Sequence, residues 1–132
     1  MAATLHDLLA SRILLLDGGL GTMIQQYGFA EEEYRGERFR DHASRLRGCN
    51  DVLVLTQPRA VREVHEKYLA AGADIVTTDS FNANAVSLRD YGLEACAYDI
   101  SRAAAALARG AADAFTARNP QKRGFCARRE GL

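Results

Sequence analysis

Cysteine, proline and tryptophan are scarce in this chain, which has three cysteines, two prolines and no tryptophan. The cysteines, Cys49, Cys96 and Cys126, are odd in number, lie far apart and form no C-x-x-C pair. This spacing argues against a disulfide framework and against a zinc site built from local ligands. We interpret Cys49 and Cys96 as ordinary small hydrophobic or turn residues.

The chain also has no excess of one charge and no long apolar run. Its 17 basic residues balance its 17 acidic ones, so no net field draws it to nucleic acid or to an anionic membrane. No apolar run approaches the roughly 20 residues that span a bilayer. The first seven residues lack the basic start and apolar core of a signal peptide. We therefore expect a single cytoplasmic domain within these 132 residues.

The most informative stretch is residues 13–16 with the three residues that follow them, Asp17, Gly18 and Gly19. A short continuous run such as Ile-Leu-Leu-Leu is typical of a buried parallel strand. Folds of the α/β class bind ligands just past the carboxyl ends of such strands. Asp17 brings a charge to that position, and the glycines allow backbone N–H groups to approach a ligand closely. The stretch predicts a small-molecule site.

Helical and strand patterns alternate along the rest of the chain, which is the order of parallel α/β units. The predicted segments are a helix over 4–12, a strand over 13–16, a short helix over 22–27, a polar loop over 29–50, a strand or extended arm over 51–56, a helix over 58–72, a strand over 73–79, and helices over 84–91 and 94–117. The mixed charges of 29–50 favour a solvated loop, although loops of this length often cover a site. We interpret His65, on the apolar face of its helix, as a packed, hydrogen-bonded core residue.

The last ten residues, 123–132, have neither a strand nor a helix period. A third strand is due at this point of the alternation, and the pattern does not predict one. We expect an aberrant or disordered tail there.

The glycine-rich turn after Asp17 does not fit a nucleotide site. Gly19-Leu20-Gly21 has no third glycine three residues on, and the chain has no Gly-Lys-Ser/Thr loop. Asp17 would also repel a phosphate. A carboxylate suits an ammonium group and backbone amides suit a carboxylate, so the pattern favours an amino acid ligand. The alternative, that Asp17 only caps the turn, stays open.

A second group of polar residues, Thr78, Asp79, Ser80 and Asn82, follows the strand predicted over 73–79. The ends of neighbouring parallel strands lie about 5 Å apart. We therefore predict that Asp17 and Thr78 line one pocket.

Four blocks of the chain resemble the homocysteine S-methyltransferase superfamily. They are Leu16-Asp17-Gly18-Gly19-Leu20-Gly21-Thr22-Met23, Tyr34-Arg35-Gly36-Glu37-Arg38-Phe39, Cys49-Asn50-Asp51-Val52-Leu53-Val54-Leu55-Thr56-Gln57-Pro58 and Ala71-Gly72-Ala73-Asp74-Ile75-Val76-Thr77-Thr78-Asp79-Ser80-Phe81-Asn82-Ala83-Asn84. The first and last are similar to the whole superfamily. The second and third resemble the N-terminal homocysteine-binding domain of cobalamin-dependent methionine synthases, rather than the betaine or S-methylmethionine enzymes.

The resemblance implies an α/β fold, the N-terminal portion of a (β/α)8 TIM barrel that binds homocysteine and zinc. It also implies methyl transfer from methylcobalamin, recharged by methyltetrahydrofolate on downstream folate- and cobalamin-binding domains, to give methionine. Asp17 then corresponds to the residue that contacts the substrate amino group. Gly18 and Thr78 correspond to groups that face its carboxylate, and Asn82 to a pocket-lining position.

The chain departs from this family after Pro120, where the residues look like a strand read out of frame. We expect a truncated, incomplete barrel domain over 1–122, followed by the tail over 123–132. None of the three cysteines matches a zinc-ligand position, so we expect no catalytic or metal-binding residue here, no bound zinc or cobalamin, and no activity of the chain alone. A betaine- or S-methylmethionine-type enzyme and a non-catalytic amino-acid-binding module remain alternatives.

Overall fold

The computed structural model describes residues 3–129, which form helices around a small parallel sheet. In chain order the elements are α1 (Leu5–Ser11), α2 (Leu20–Gln25), α3 (Glu31–Arg35), α4 (Leu53–Thr56), α5 (Pro58–Ala71), β1 (Ile75–Thr77), α6 (Ala85–Leu88), α7 (Ala97–Arg118) and β2 (Phe125–Ala127). Short 3₁₀ turns cover Asn50–Val52, Arg89–Tyr91 and Glu94–Cys96. No helix among the described residues combines the length and the apolar character needed to cross a bilayer.

The sheet has β1 at its centre. On one side β1 pairs in parallel with β2, with Ile75 opposite Phe125. On the other side the chain before Asp17 runs parallel to β1 and forms a single bridge, Leu16 to Ile75. The carboxyl ends of these three segments therefore meet at one edge of the sheet.

The strand predicted over 13–16 is reduced to that bridge, and the prediction that it is buried is wrong. The N–H of Leu15 donates to the carboxylate of Asp74 (2.9 Å) rather than to a backbone carbonyl, which limits the ladder to one residue pair. The guanidinium of Arg12 also binds Asp74, at 2.8 and 3.1 Å, and holds the segment beside β1. Ile13 and Leu16 are 85% and 62% exposed.

The second prediction that fails is the absence of a strand after residue 122. β2 lies within that segment and takes the place due to a third strand, because the N–H of Phe125 donates to the carbonyl of Asp74 (2.8 Å) and the N–H of Thr78 donates to that of Ala127 (2.9 Å). Residues 130–132 of the predicted tail lie outside the described residues. The division of the chain at 122/123 stays a prediction.

Helices α5 and α7 pack against each other and carry much of the core. Helix α5 begins at Pro58 and ends before Gly72, whose φ of 120° favours glycine, as the sequence predicts. Helix α7 presents alanines to α5, which allow close approach of the two helices. The buried residues of the pair are Ala60, Val61, Val64, His65, Leu69, Ile100, Ala104, Ala108, Ala111 and Ala112.

The polar segment 29–50 is folded rather than a solvated loop, which corrects the interpretation of its charges. The carboxylate of Glu31 accepts the N–H groups of Leu46 (2.6 Å) and Arg47 (2.7 Å), and the guanidinium of Arg35 donates to the carbonyl of His42 (2.6 Å). These charged side chains hydrogen-bond the backbone N–H and carbonyl groups of the segment, and its apolar side chains pack into the core. The buried ones are Tyr34, Phe39, Leu46 and Cys49.

The strand or extended arm predicted over 51–56 is also wrong. A 3₁₀ turn over Asn50–Val52 leads directly into α4. Val52 and Leu53 are completely buried against the main core, so the continuous apolar run here reflects burial on all sides of a short helix.

Candidate functional site

Buried polar residues follow β1 at the edge where the parallel segments end. Thr78, Asp79 and Ser80 are each less than 8% exposed. Asp17 follows the neighbouring bridged residue, Leu16, so its side chain reaches the same edge. The structure therefore brings the ends of two neighbouring parallel segments to one region.

The carboxylate of Asp17 is hydrogen-bonded within the sheet. It accepts the N–H of Thr77 at 2.8 Å and the hydroxyl of Thr77 at 2.9 Å. The guanidinium of Arg129 lies 3.7 Å from Oδ1, the oxygen that accepts the Thr77 hydroxyl, and only 2% of the Asp17 side chain is exposed. Asp17 thus joins the bridged segment to β1 and has a cation beside it.

The glycines after Asp17 allow the turn to pack against α5. A Cβ atom on Gly18 would lie 3.1 Å from the phenolic oxygen of Tyr68, and that hydroxyl donates to the carbonyl of Gly19 at 2.8 Å. Gly19 is also the N-cap of α2. The turn is therefore held by the tyrosine, with Gly18 at its exposed side.

Thr78 and Asn82 contribute to the same region through different groups. The Thr78 hydroxyl lies 2.6 Å from that of Ser80 and accepts the N–H of Arg129 at 2.9 Å. The N–H of Asn82 donates to the carboxylate of Asp51 at 2.9 Å. Both polar residues are thus held by contacts to segments distant in the sequence.

A cavity of about 190 Å³ opens between the end of β1 and the turn before α4. Of the four predicted site residues, Thr78 and Asn82 line it, whereas Asp17 and Gly18 do not. Arg129 lines the cavity and contacts both Asp17 and Thr78, so it connects the two halves of the predicted site. The full lining is Leu20, Gly21, Gly48, Asn50, Asp51, Thr78, Asp79, Phe81, Asn82 and Arg129.

Two buried carboxyl groups on the cavity wall, Asp51 and Asp79, were not predicted as site residues. Asp79 is 6% exposed, and its Oδ2 has no hydrogen-bond partner within residues 3–129. Burial raises the pKa of Asp79 well above its usual value, and the nearby Asp51 adds to the effect while Arg129 opposes it. Burial also raises the pKa of Asp51. The available sequence signal was the position of Asp79, one residue after Thr78 at a strand end.

His65 is completely buried on α5, as predicted, but the predicted hydrogen bond does not form. Neither ring nitrogen has a partner in the described part of the chain. Burial lowers the pKa of His65, and the charge of Asp17 partly offsets this. The histidine therefore packs as a neutral ring in the core.

The family model of homocysteine S-methyltransferases matches residues 14–128. The chain belongs to the homocysteine S-methyltransferase family.

Solved structures of a homocysteine methyltransferase support this membership. The oxidized form of MmuM from Escherichia coli is 28% identical to the chain with a TM-score of 0.74, and the metallated form is 27% identical with the same score. Each match covers 96% of the chain, but only 40% and 41% of the respective MmuM chains. The chain therefore has the fold of part of a TIM barrel, which confirms the predicted fold class.

The cysteines of this homocysteine S-methyltransferase chain do not form a metal site among the described residues. Burial raises the pKa of Cys49 to about 12, so its thiol stays protonated at neutral pH, whereas a zinc ligand must be a thiolate. Cys96 and Cys126 are partly buried and free. Residues 3–129 contain no group of three or more histidine, cysteine, aspartate or glutamate side chains placed to hold a metal ion. The zinc that the resemblance implies does not fit these residues.

Proposed function

We propose that this chain supplies the amino-acid-binding half of the homocysteine pocket of a cobalamin-dependent methionine synthase. The supporting observation is that Arg129 contacts both Asp17 and Thr78, which come from the ends of two parallel segments. Arg129 and Thr78 line the cavity, and the guanidinium of Arg129 connects that cavity to the carboxylate of Asp17. The activity to which this half would contribute is methyl transfer from methylcobalamin to homocysteine, giving methionine.

In this proposal each end of the amino acid head group meets a matching partner. Asp17 accepts the ammonium group, which would take the place of the Arg129 guanidinium that now lies 3.7 Å from the carboxylate. The N–H of Gly18 and the hydroxyl of Thr78 donate to the carboxylate. Asn82, on the cavity wall, lies beside the rest of the substrate.

The choice of the cobalamin-dependent branch rests on two segments next to the cavity. The hydroxyl of Tyr34, which begins the Tyr-Arg-Gly-Glu-Arg-Phe block, donates to the side chain of Asn50 at 2.9 Å. Asn50 begins the Asn-Asp part of the other block and lines the cavity. The two blocks that resemble this branch therefore form one unit on the cavity wall, where they are able to influence the substrate or the methyl donor.

A binding titration tests the substrate assignment. The 132-residue chain is titrated with L-homocysteine and with L-methionine in the presence of a metal chelator, and binding is followed by amide chemical shifts. We expect weak, saturable binding of homocysteine, with an affinity about tenfold lower in the Asp17→Ala variant because a charged hydrogen bond is lost. The Asp113→Asn variant, in an exposed ion pair on α7, is the control.

The other outcomes separate the alternatives. Tight binding of homocysteine and methionine alike, without metal, would favour a non-catalytic amino-acid-binding module. A complete lack of homocysteine-dependent shifts would contradict the proposal.

A donor assay tests the branch. The longest protein that contains these residues in its reading frame is supplied with homocysteine and with methylcobalamin, betaine or S-methylmethionine in turn. Methionine formation from methylcobalamin alone supports the proposal. Formation from betaine or S-methylmethionine would assign the chain to another branch of the family.

A further inference from the structure

The cavity wall holds a carboxyl oxygen that the fold leaves without a partner. Only 6% of Asp79 is exposed, and its Oδ2 has no hydrogen-bond partner within residues 3–129. Most buried polar atoms in proteins are paired, so an unpaired one needs an explanation. Asp79 lines the cavity together with Asp51 and Thr78.

Asp17 alone does not provide enough acceptors for an ammonium group. Its two oxygens already accept the N–H and the hydroxyl of Thr77, and the hydroxyl also lies 3.2 Å from the second oxygen. An ammonium group has three N–H donors, each of which needs an acceptor when the group is buried. A second acidic side chain on the cavity wall would meet that requirement, and Asp79 lines the cavity together with Thr78.

We propose that Asp79 is a second substrate-binding carboxylate, which accepts a hydrogen bond from the ammonium group of the amino acid bound in this cavity. The proposal rests on the proposed function and extends it to a residue that the family resemblance does not assign. Rotation about the Cβ–Cγ bond of an aspartate costs little, so the unpaired oxygen is able to turn toward a ligand. Asp51, whose carboxylate is bound by the N–H of Asn82, adds negative charge behind it.

The electrostatics of the cavity fit a cationic ligand group. The groups that interact with Asp79 are the carboxyl of Asp51, the cation of Arg129, and the side chains of Cys49 and Tyr34, whose pKa values burial raises so that both stay uncharged. In the free chain, burial and Asp51 together raise the pKa of Asp79 and favour its neutral form. An ammonium group at the carboxyl would favour the ionised form, so binding would release a proton from Asp79 to solvent.

The experiment compares the wild-type chain with its Asp79→Asn variant, and uses Asp113→Asn as the matched control. Each protein is titrated with homocysteine and with the deamino analogue of homocysteine, which lacks the ammonium group. We expect Asp79→Asn to bind homocysteine about tenfold more weakly and to bind the deamino analogue as the wild type does. Calorimetry in two buffers of different ionisation enthalpy is expected to detect proton release by the wild type and none by the variant.

The outcomes separate this inference from the proposed function. If the wild-type chain does not bind homocysteine, the proposed function is wrong and the role of Asp79 with it. If the wild type and Asp113→Asn bind homocysteine and Asp79→Asn binds it equally well, only the role of Asp79 is wrong. Equal weakening for both ligands would also overturn that role, because Asp79 would then shape the cavity rather than contact the ammonium group.

Discussion

Single acidic residues around the sheet and the cavity differ most in which groups bind their carboxylates. Asp74 is bound by the guanidinium of Arg12, and Asp17 by the N–H and hydroxyl of Thr77. Asp51 accepts one backbone N–H, from Asn82. Asp79 has an oxygen without a partner in the described residues, which in the free chain costs stability. Asp79 therefore differs from these other acids in having a carboxyl oxygen that no described residue binds.

The raised pKa of Asp79 leads to a prediction about stability and pH. The pKa of Asp79 is higher in the folded than in the unfolded chain. Its favourable contribution to the free energy of unfolding is therefore complete below the unfolded pKa of about 3.9, and is lost as the pH rises through the folded pKa. We expect Asp79→Asn to raise the free energy of unfolding at neutral pH by about 1 kcal/mol or more, and to have little effect near pH ~4. Urea denaturation across this pH range measures the difference.

The Asp113→Asn variant again serves as the control for this experiment. Asp113 is exposed and pairs with Arg109 along α7, so its substitution should change stability by less than about 0.5 kcal/mol at every pH tested. If the difference in free energy of unfolding between Asp79→Asn and wild type does not increase toward neutral pH, the raised pKa of Asp79 is contradicted.

At the level of secondary-structure elements, the structure of the segment 29–50 differs most from the one that its composition predicts. Its charges are typical of a solvated loop, but Glu31 and Arg35 are turned inward onto backbone N–H and carbonyl groups. These contacts provide hydrogen-bond partners for backbone groups of the segment, so Leu46 is able to be completely buried. The segment therefore belongs to the core and supports the adjacent wall of the cavity.

This account of the segment predicts a large effect of Leu46→Ala. Removing a completely buried leucine side chain leaves a cavity, and we expect a loss of about 2–5 kcal/mol in the free energy of unfolding. Leu9→Ala is the matched control, because Leu9 on α1 is 54% exposed and its substitution should cost about 0.5 kcal/mol or less. Similar urea midpoints for the two variants would show that the segment does not pack as described.

For the molecule as a whole, the main feature is a sheet in which the two sides of β1 are paired to different extents. One edge of β1 is covered by β2, whereas the segment 13–16 makes one bridge to β1 and pairs with no other described strand. Ile13, Leu15 and Leu16 are all more than half exposed in this segment. The chain spans about 40% of the length of the MmuM structures that it matches. An apolar, unpaired edge of this kind favours association with other chains.

We therefore predict concentration-dependent self-association of the 132-residue chain. The double substitution Ile13→Lys and Leu16→Lys should shift the protein toward monomer, because charged side chains on an edge oppose strand pairing. Val86→Lys, at a 74% exposed position on α6, should leave the association unchanged. Sedimentation velocity at several concentrations measures this, and equal association of all three proteins would contradict the prediction.

The predictions that succeeded depend on short stretches of sequence. Helix α5 has a proline at its first position, apolar residues at helical spacing and a terminating glycine, all within one local pattern. The strand before Thr78 was likewise evident, because an apolar run followed by polar residues is a local signal. Asp79 was part of that same signal, yet nothing local distinguishes a paired acid from an unpaired one.

The amino-acid sequence thus predicted the long helices α5 and α7, the family and the polar groups that follow β1, since each depends on residue order within one segment. Tertiary contacts established the rest. They bury the charged segment 29–50, leave 13–16 exposed, pair β2 with β1 and leave an oxygen of Asp79 without a partner. Burial and hydrogen bonding depend on atoms supplied by segments far apart in the chain, and a local pattern carries no information about which of those atoms meet.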